Sequence, residues 1–404
     1  MKQDGDQIER VYNVSLLFAF LANVFLLISV SLLFRYADFV SDIGGSEWHL
    51  GWIVGTSSVG AIVFRLWLGT AIDRIGPQWI WYGCLVGQIT SLYLHLYIDS
   101  PATINVYLVR FFYATCVAGT FGCWVSFVSL QAPENRVAEV LGVVGASGFV
   151  GMAIGPMIGD FVFQTMASHS ESVRAMFLSS IGAVSVSLLM TVAACRSGEF
   201  KTRRNSKRVK NPLAVISQAR PGFVLVLGVL MGITIGFPGT YLRPMAASMG
   251  IEHIKVFFIS YNLTAFVSRL VFRQAPTWLG LTKTIFLGFG IMSISMLLYL
   301  LVDSEFALIW PALVGGLAHS FLFPSVIALC TEKFAKEDRG VAANLILAMY
   351  DTGILVGMPT IGVTLTLAER AGMPAYSTVL SVLAATIVLV LMAFRAHKSV
   401  DGKT

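Results

Sequence analysis

Twelve runs of about twenty apolar residues, most of them separated by short polar joints, leave this 404-residue chain few folds to choose from. At 1.5 Å of rise per residue, each run as a helix crosses the ~30 Å hydrocarbon layer of a bilayer. Inside lipid the backbone must satisfy its own N–H and C=O groups, which makes helices the natural state of such runs. The segments lie at about 12–34, 48–70, 79–98, 103–129, 138–162, 173–195, 221–244, 254–273, 283–302, 306–331, 339–366 and 375–395. Hydrophobic residues make up 56% of the chain and charged ones only 12%, which excludes an ordinary soluble protein. The polar start, MKQDGDQIER, has no short apolar region followed by a small-residue cleavage site, so the first segment is expected to be retained. Cys84, Cys116, Cys123, Cys195 and Cys330 have no metal-ligand spacing and are expected to act as small hydrophobes. Neither HExxH nor a phosphate-binding loop is present, so no enzyme, cofactor or metal is expected.

Charge gives the chain a direction. With both termini placed in the cytoplasm, the cytoplasmic segments hold 20 of the 28 Lys and Arg residues. The outward loops hold five: Arg35, Arg174, Arg243, Lys255 and Arg370. Arg65, Arg110 and Arg269 remain within segments. The positive-inside rule therefore predicts a multi-pass protein of the plasma membrane (a bacterial inner membrane) with both termini cytoplasmic. The net charge of +6 is then topological, concentrated in the joint RSGEFKTRRNSKRVKNPLAVISQAR, and no nucleic-acid partner is expected. That linker is expected to be partly disordered and to touch anionic lipid.

The halves repeat. Arg136 and Pro156 stand twenty residues apart, as do Arg339 and Pro359, and a glycine follows each proline by three (Gly159, Gly362). The offset is 203, and an offset of 204 takes Arg65 and Gly76 to Arg269 and Gly280. The expected organisation is an N-terminal six-helix bundle (1–195), a basic linker (196–220) and a C-terminal six-helix bundle (221–404). Such parallel repeats are one way to build a transporter with its site near the membrane midplane.

With the repeat in hand, the chain resembles the major facilitator superfamily along nearly its whole length. Arg65-x-x-x-Gly69-x-x-x-Asp73-Arg74-x-Gly76 is similar to that family's loop signature between the second and third helices. Pro77 and Gln78 depart from it, because basic residues usually follow the glycine there. In the second copy Thr277 and Trp278 replace the Asp-Arg pair. Arg110 in YLVRFFYATCVAGTFG resembles the family's fourth-helix arginine. GFVGMAIGPMIGD resembles the glycine-proline signature of its proton-coupled drug exporters, with Asp160 where a second glycine is common. The resemblance implies an all-α membrane fold: twelve transmembrane helices in two six-helix bundles related by pseudo-twofold symmetry. It implies a monomeric secondary active transporter moving a small molecule by alternating access, with protons as coupling ion and export as the direction. The alternative is a proton-coupled symporter or exchanger for an organic anion, a carboxylate or phosphate.

Candidate residues fall into two groups. For gating, the resemblance places Asp73 against the start of the eleventh segment, with Arg136 as candidate partner and Arg65, Arg74, Gly76 and Arg269 shaping the turns. Gly151, Gly155 and Gly159 recur every four residues, so they share a helix face that admits a close neighbour, while Pro156 is expected to bend that helix. For substrate and protons, ionisable groups deep in a bilayer are functional candidates. Arg110, His319 near the middle of the tenth segment and Asp351 in the eleventh meet that description, whereas His95 is expected to be structural. The resemblance implies that segments 1, 4, 7 and 10 line the cavity, which adds Asn23. Arg35 and Arg243 occupy similar places in the two halves, where guanidinium forks would suit an anion or merely anchor the interface. Tyr241 lies beside Arg243 in GFPGTYLRP, whose Gly236, Pro238 and Gly239 are expected to break the seventh segment.

Overall fold

Every one of the twelve apolar segments becomes a long helix in the computed structural model, which describes residues 13–133, 136–198, 212–272, 274–335 and 338–401. We name the helices α1 (Val14–Leu32), α2 (Tyr36–Asp42), α3 (Glu47–Ile75), α4 (Pro77–His95), α5 (Ile104–Gln131), α6 (Val137–Thr165) and α7 (His169–Ser197). They continue as α8 (Pro212–Ala219), α9 (Val224–Ser248), α10 (Lys255–Val271), α11 (Ala275–Leu279), α12 (Leu281–Leu298), α13 (Ile309–Thr331), α14 (Arg339–Arg370) and α15 (Ala375–Asp401). α2 continues α1 through one 3-10 turn at Leu33–Arg35, so the first span runs from Val14 to Asp42. Among the described residues nine spans are long and apolar enough to cross a bilayer by length and composition. α3, α4 and α10 complete the twelve; α3 carries Arg65, Asp73 and Arg74, and α10 has only 17 residues.

Many polar side chains in these helices are satisfied locally or across a seam, as an apolar solvent favours. Thr115 donates to the Phe111 carbonyl at 2.8 Å and Thr352 to that of Ala348 at 2.8 Å, each one turn back.

By contacts the described chain forms two compact units. One comprises 13–33 and 63–198, the other 34–62 and 212–401. In the first, α1 packs on α6 and α7, and α4 on α5 and α7. Serines bind α1 to α7: Ser15 donates to Ala194 O at 2.9 Å, Ser187 to Ala22 O at 2.7 Å, and Ser29 meets Ser180 at 2.8 Å. Trp124 of α5 donates to Ala19 O at 2.9 Å. In the second unit α9 packs on α14, α10 on α13, and α12 on α13 and α15. α3 contributes residues 47–62 to this unit and 63–75 to the other.

Backbone geometry shows the repeat at its turns. Gly76 (φ 91°, ψ 146°) and Gly280 (φ 83°, ψ 149°) adopt the same glycine-only conformation, each as the N-cap of the next helix. Their approaches differ: α3 runs unbroken to Ile75, whereas α10 stops at Val271 and α11 restarts with Pro276 in its first turn. Two expectations need correction. The seventh segment is not broken, since α9 stays helical through Gly236, Pro238, Gly239 and Pro244. Arg35 does not lie in an outward loop but within a continuing helix, because its charge is paired there. The linker holds a helix, α8, at its end; Lys201, Arg203, Arg204, Lys207, Arg208 and Lys210 lie outside the described residues.

Candidate functional site

The densest polar cluster of the second unit stands where α2 meets α9. The 3-10 turn sets Arg35 one turn before Asp38, so the guanidinium Nη1 donates to Asp38 Oδ2 at 3.1 Å. From α9, Arg243 Nε donates to the same oxygen at 3.0 Å. Arg35 Nη2 also donates to Glu252 O at 2.7 Å, and Arg243 Nη1 to Ile251 O at 3.5 Å. Arg35 is 2% exposed and Asp38 7%. Two cations share one anion out of water, a geometry that holds only while the carbonyls and the carboxylate stay in place. Beside it Phe34 stacks on Phe258 with ring centroids 4.4 Å apart.

A glycine seam lies next to this clasp. Tyr241, fully buried on α9, donates to Met358 O of α14 at 2.7 Å and lies 3.3 Å from Glu47 O of α3. Gly51 of α3 lets that contact form: a Cβ there would stand 2.5 Å from Met358 O and 2.5 Å from the Tyr241 hydroxyl. At Gly55 it would stand 2.5 Å from Pro359 Cδ, and at Gly362 2.7 Å from Glu47 O. The first half of α3 and the second half of α14 thus meet backbone to backbone.

A second cluster sits between α10 and α13. The Tyr261 hydroxyl lies 3.1 Å from His319 Nδ1, and Phe323 presents an edge to the imidazole at 5.6 Å. Arg269, about two turns further along α10, is close enough to act on both groups electrostatically. Asp351 is 7% exposed on α14 and stands two residues before Gly353, whose Cα lies against Gly232 of α9.

The first unit holds the remaining residues. Asn23 on α1 donates to Ser147 of α6 at 2.7 Å, and its buried Oδ1 has no hydrogen-bond partner. Gly151 brings α6 onto α1: its Cβ would lie 2.5 Å from Val24 O, and that of Gly155 would meet Ser31 and Ile28. Gly159 and Pro156 are buried further along α6, which stays helical through the proline. Arg110 on α5 lies over the Tyr113 ring, 5.0 Å from its centroid. His95 donates from Nδ1 to Ser91 O at 2.8 Å and stacks on Phe177. Arg136 forks onto Glu139 of its own helix at 2.8 and 2.5 Å. Arg65 is half-buried and Arg74 exposed, while the side chain of Asp73 lies outside the described residues.

The structure therefore gathers Arg35, Tyr241 and Arg243 at one place, and His319 with Arg269 at another. Sequence reasoning missed Asp38 and Tyr261. An arginine and aspartate three apart in FRYADF are a legible helix pair, but nothing in the sequence ties Tyr261 to a histidine 58 residues on. Among the described residues no group of His, Cys, Asp and Glu could hold a metal ion.

Comparison with known proteins agrees with this architecture. A family model described as Major Facilitator Superfamily matches residues 14–274. The staphylopine export protein of Staphylococcus aureus is 22% identical over 377 residues, 87% of this chain and 88% of that protein. Multidrug resistance protein 2 of Bacillus subtilis is 26% identical over 147 residues, about a third of each chain. Among solved structures, the nucleoside transporter NupG superposes with a TM-score of 0.76 at 14% identity, over 95% of this chain and 99% of its own. The xylose transporter XylE from E. coli gives 0.70 at 12% identity, over 95% and 98%.

Proposed function

Because this chain belongs to the Major Facilitator Superfamily, we propose that it exports a small molecule across a bacterial inner membrane in exchange for protons, by alternating access. Secondary transport across a bilayer follows from the family; direction and coupling are our reading. The observation that carries alternating access is the clasp with its seam. Polar contacts and glycine approaches tie the 3-10 turn with α2 and the first half of α3 to α9, α14 and the residues just before α10. Such contacts are reversible, unlike a fused apolar core, and with cytoplasmic termini they close the outer side. Asp73 is then the cytoplasmic counterpart, placed where α3 turns into α4.

Export is supported by the 87% coverage with a protein named for export, and by a second relative named for drug resistance. Proton coupling is supported by two titratable groups on neighbouring helices, the buried Asp351 and the half-buried His319. Arg110 and Asn23 are our candidates for substrate contact from the first unit. We assign Arg35 and Arg243 to the gate rather than to substrate, since both hold Asp38. The organic-anion reading then rests on Arg110.

The test is Asp351→Asn in proteoliposomes. Gradient-driven flux should fall at least tenfold while substrate counterflow persists. Full gradient-driven flux in that variant removes Asp351 from the coupling path.

A further inference from the structure

Two stretches of the first unit echo each other: CLVG at 84–87 on α4 and CVAG at 116–119 on α5. In each, the cysteine and the glycine stand three residues apart and share a helix face. α4 and α5 pack on each other, and the contacts are reciprocal. A Cβ at Gly87 would lie 2.6 Å from Cys116 Sγ, and one at Gly119 would lie 2.5 Å from Cys84 Sγ. With each sulfur seated on bare backbone of the opposite helix, the two thiols come within hydrogen-bonding reach of each other. The other cysteines are placed differently. Cys195 meets Tyr82, Cys330 donates to Ala342 O at 3.8 Å, and Cys123 is packed seven residues beyond Cys116.

The pair lies inside the bilayer-spanning stretches, with Cys84 ~10 Å along α4 and Cys116 ~18 Å along α5. Cys84 is 8% exposed and Cys116 5%. One ring separates them from lipid. Phe112 stands one turn before Cys116 and is 44% exposed, and its Cζ would lie 3.1 Å from a Cβ at Gly87. Phe64 of α3 packs over Gly119.

The second repeat shows that this helix pair closes without sulfur. The 204-residue offset takes Cys84 to Gly288 on α12 and Cys116 to Ser320 on α13. There a Cβ at Gly288 would meet Leu322 Cγ at 2.8 Å and Phe321 Cβ at 3.3 Å, so hydrocarbon fills the seam. Ser320 turns back to its own helix, donating to Leu317 O at 2.7 Å.

We propose that Cys84 and Cys116 form a reversible dithiol–disulfide pair, oxidised from the lipid phase by a membrane-soluble quinone. Both S–H bonds break and one S–S bond forms; two protons and two electrons pass to the quinone, which leaves as the quinol. Dithiol and disulfide are both uncharged, which suits an apolar site where a standing thiolate is costly. The oxidant must be apolar to reach the site, and Phe112 is the cover it has to pass. The bond ties α4 to α5 within the first unit, so the inference stands apart from the assignments of gate, direction and coupling.

The test uses the reduced full-length protein in lipid nanodiscs, treated with a fully substituted, lipid-soluble quinone and digested without reduction for mass spectrometry. A peptide pair joined through Cys84 and Cys116, two hydrogens lighter than the free peptides, should form at least tenfold faster than with the water-soluble dianion tetrathionate. F112A should speed its formation severalfold, and C123S should change it less than twofold. Oxidation should raise the melting temperature by several degrees, reversibly with dithiothreitol, and should have no such effect in C84S or C116S. Three results would overturn the proposal: an unlinked wild type, cross-links among the other cysteines at the same rate, or equal rates with the two oxidants.

Discussion

Asp38→Asn isolates the outer gate, because one carboxylate holds two arginines. Its Oδ2 accepts from Arg35 at 3.1 Å and from Arg243 at 3.0 Å, and all three side chains are largely out of water. Removing one partner of a buried ion pair costs ~3–5 kcal/mol, because the remaining charge stays desolvated. Asparagine keeps the shape and one accepting oxygen, so the lower end of that range, about 3 kcal/mol, is the better figure. On the proposed gating, the clasp exists only while the gate is closed, and in an open gate water would solvate both guanidiniums. The loss therefore falls on the closed state, and at ~1.4 kcal/mol per decade it shifts the equilibrium about a hundredfold toward opening. Spin labels on cysteines at Ser41 and Ser248, both exposed, report the separation of α2 from α9. The five native cysteines are buried, which favours selective labelling. Wild type should give one short distance, and D38N should add a longer population that becomes the majority. An unchanged distance distribution in folded D38N would show that the clasp does not gate.

Two further substitutions probe the neighbouring clusters. Gly51→Val pushes a side chain into Met358 O and the Tyr241 hydroxyl, so it should cost ~1–3 kcal/mol in the closed state and open the same label pair. Gly83→Ala, with nothing within 4 Å, should leave both labels and transport unchanged; equal effects would deny the seam any special role. Tyr261→Phe removes the hydroxyl from His319 and with it ~0.5–1.5 kcal/mol, which should move the pH profile of transport by up to about one unit. An unmoved profile in pH-jump flux assays would remove this pair from the proton path.

What could be read in the sequence follows the range over which each feature is encoded. The twelve spans depend on runs of neighbouring residues, and all twelve became helices. The repeat was legible at Gly76 and Gly280, because a conformation only glycine adopts easily leaves a conserved letter in both copies. The charge of Arg35 was misleading, since it looks like the end of a span until Asp38 and Arg243, the latter some 200 residues away, are brought to it. Prolines and glycines in GFPGTYLRP likewise suggested a broken helix, yet packing kept α9 whole. Asp73 was legible as a motif, but its side chain lies outside the described residues, while Arg136 pairs with Glu139. Tyr261 and Gly51 matter through contacts with distant segments, which neither periodicity nor composition records.

Proton-coupled export is tested most directly in inverted membrane vesicles, with a ligand found by thermal-shift screening. The account predicts that an acid vesicle interior drives accumulation of the ligand, that a protonophore collapses it, and that ligand addition to purified protein in unbuffered detergent releases protons. Accumulation only in right-side-out vesicles with acid outside, or flux indifferent to the gradient, would contradict it.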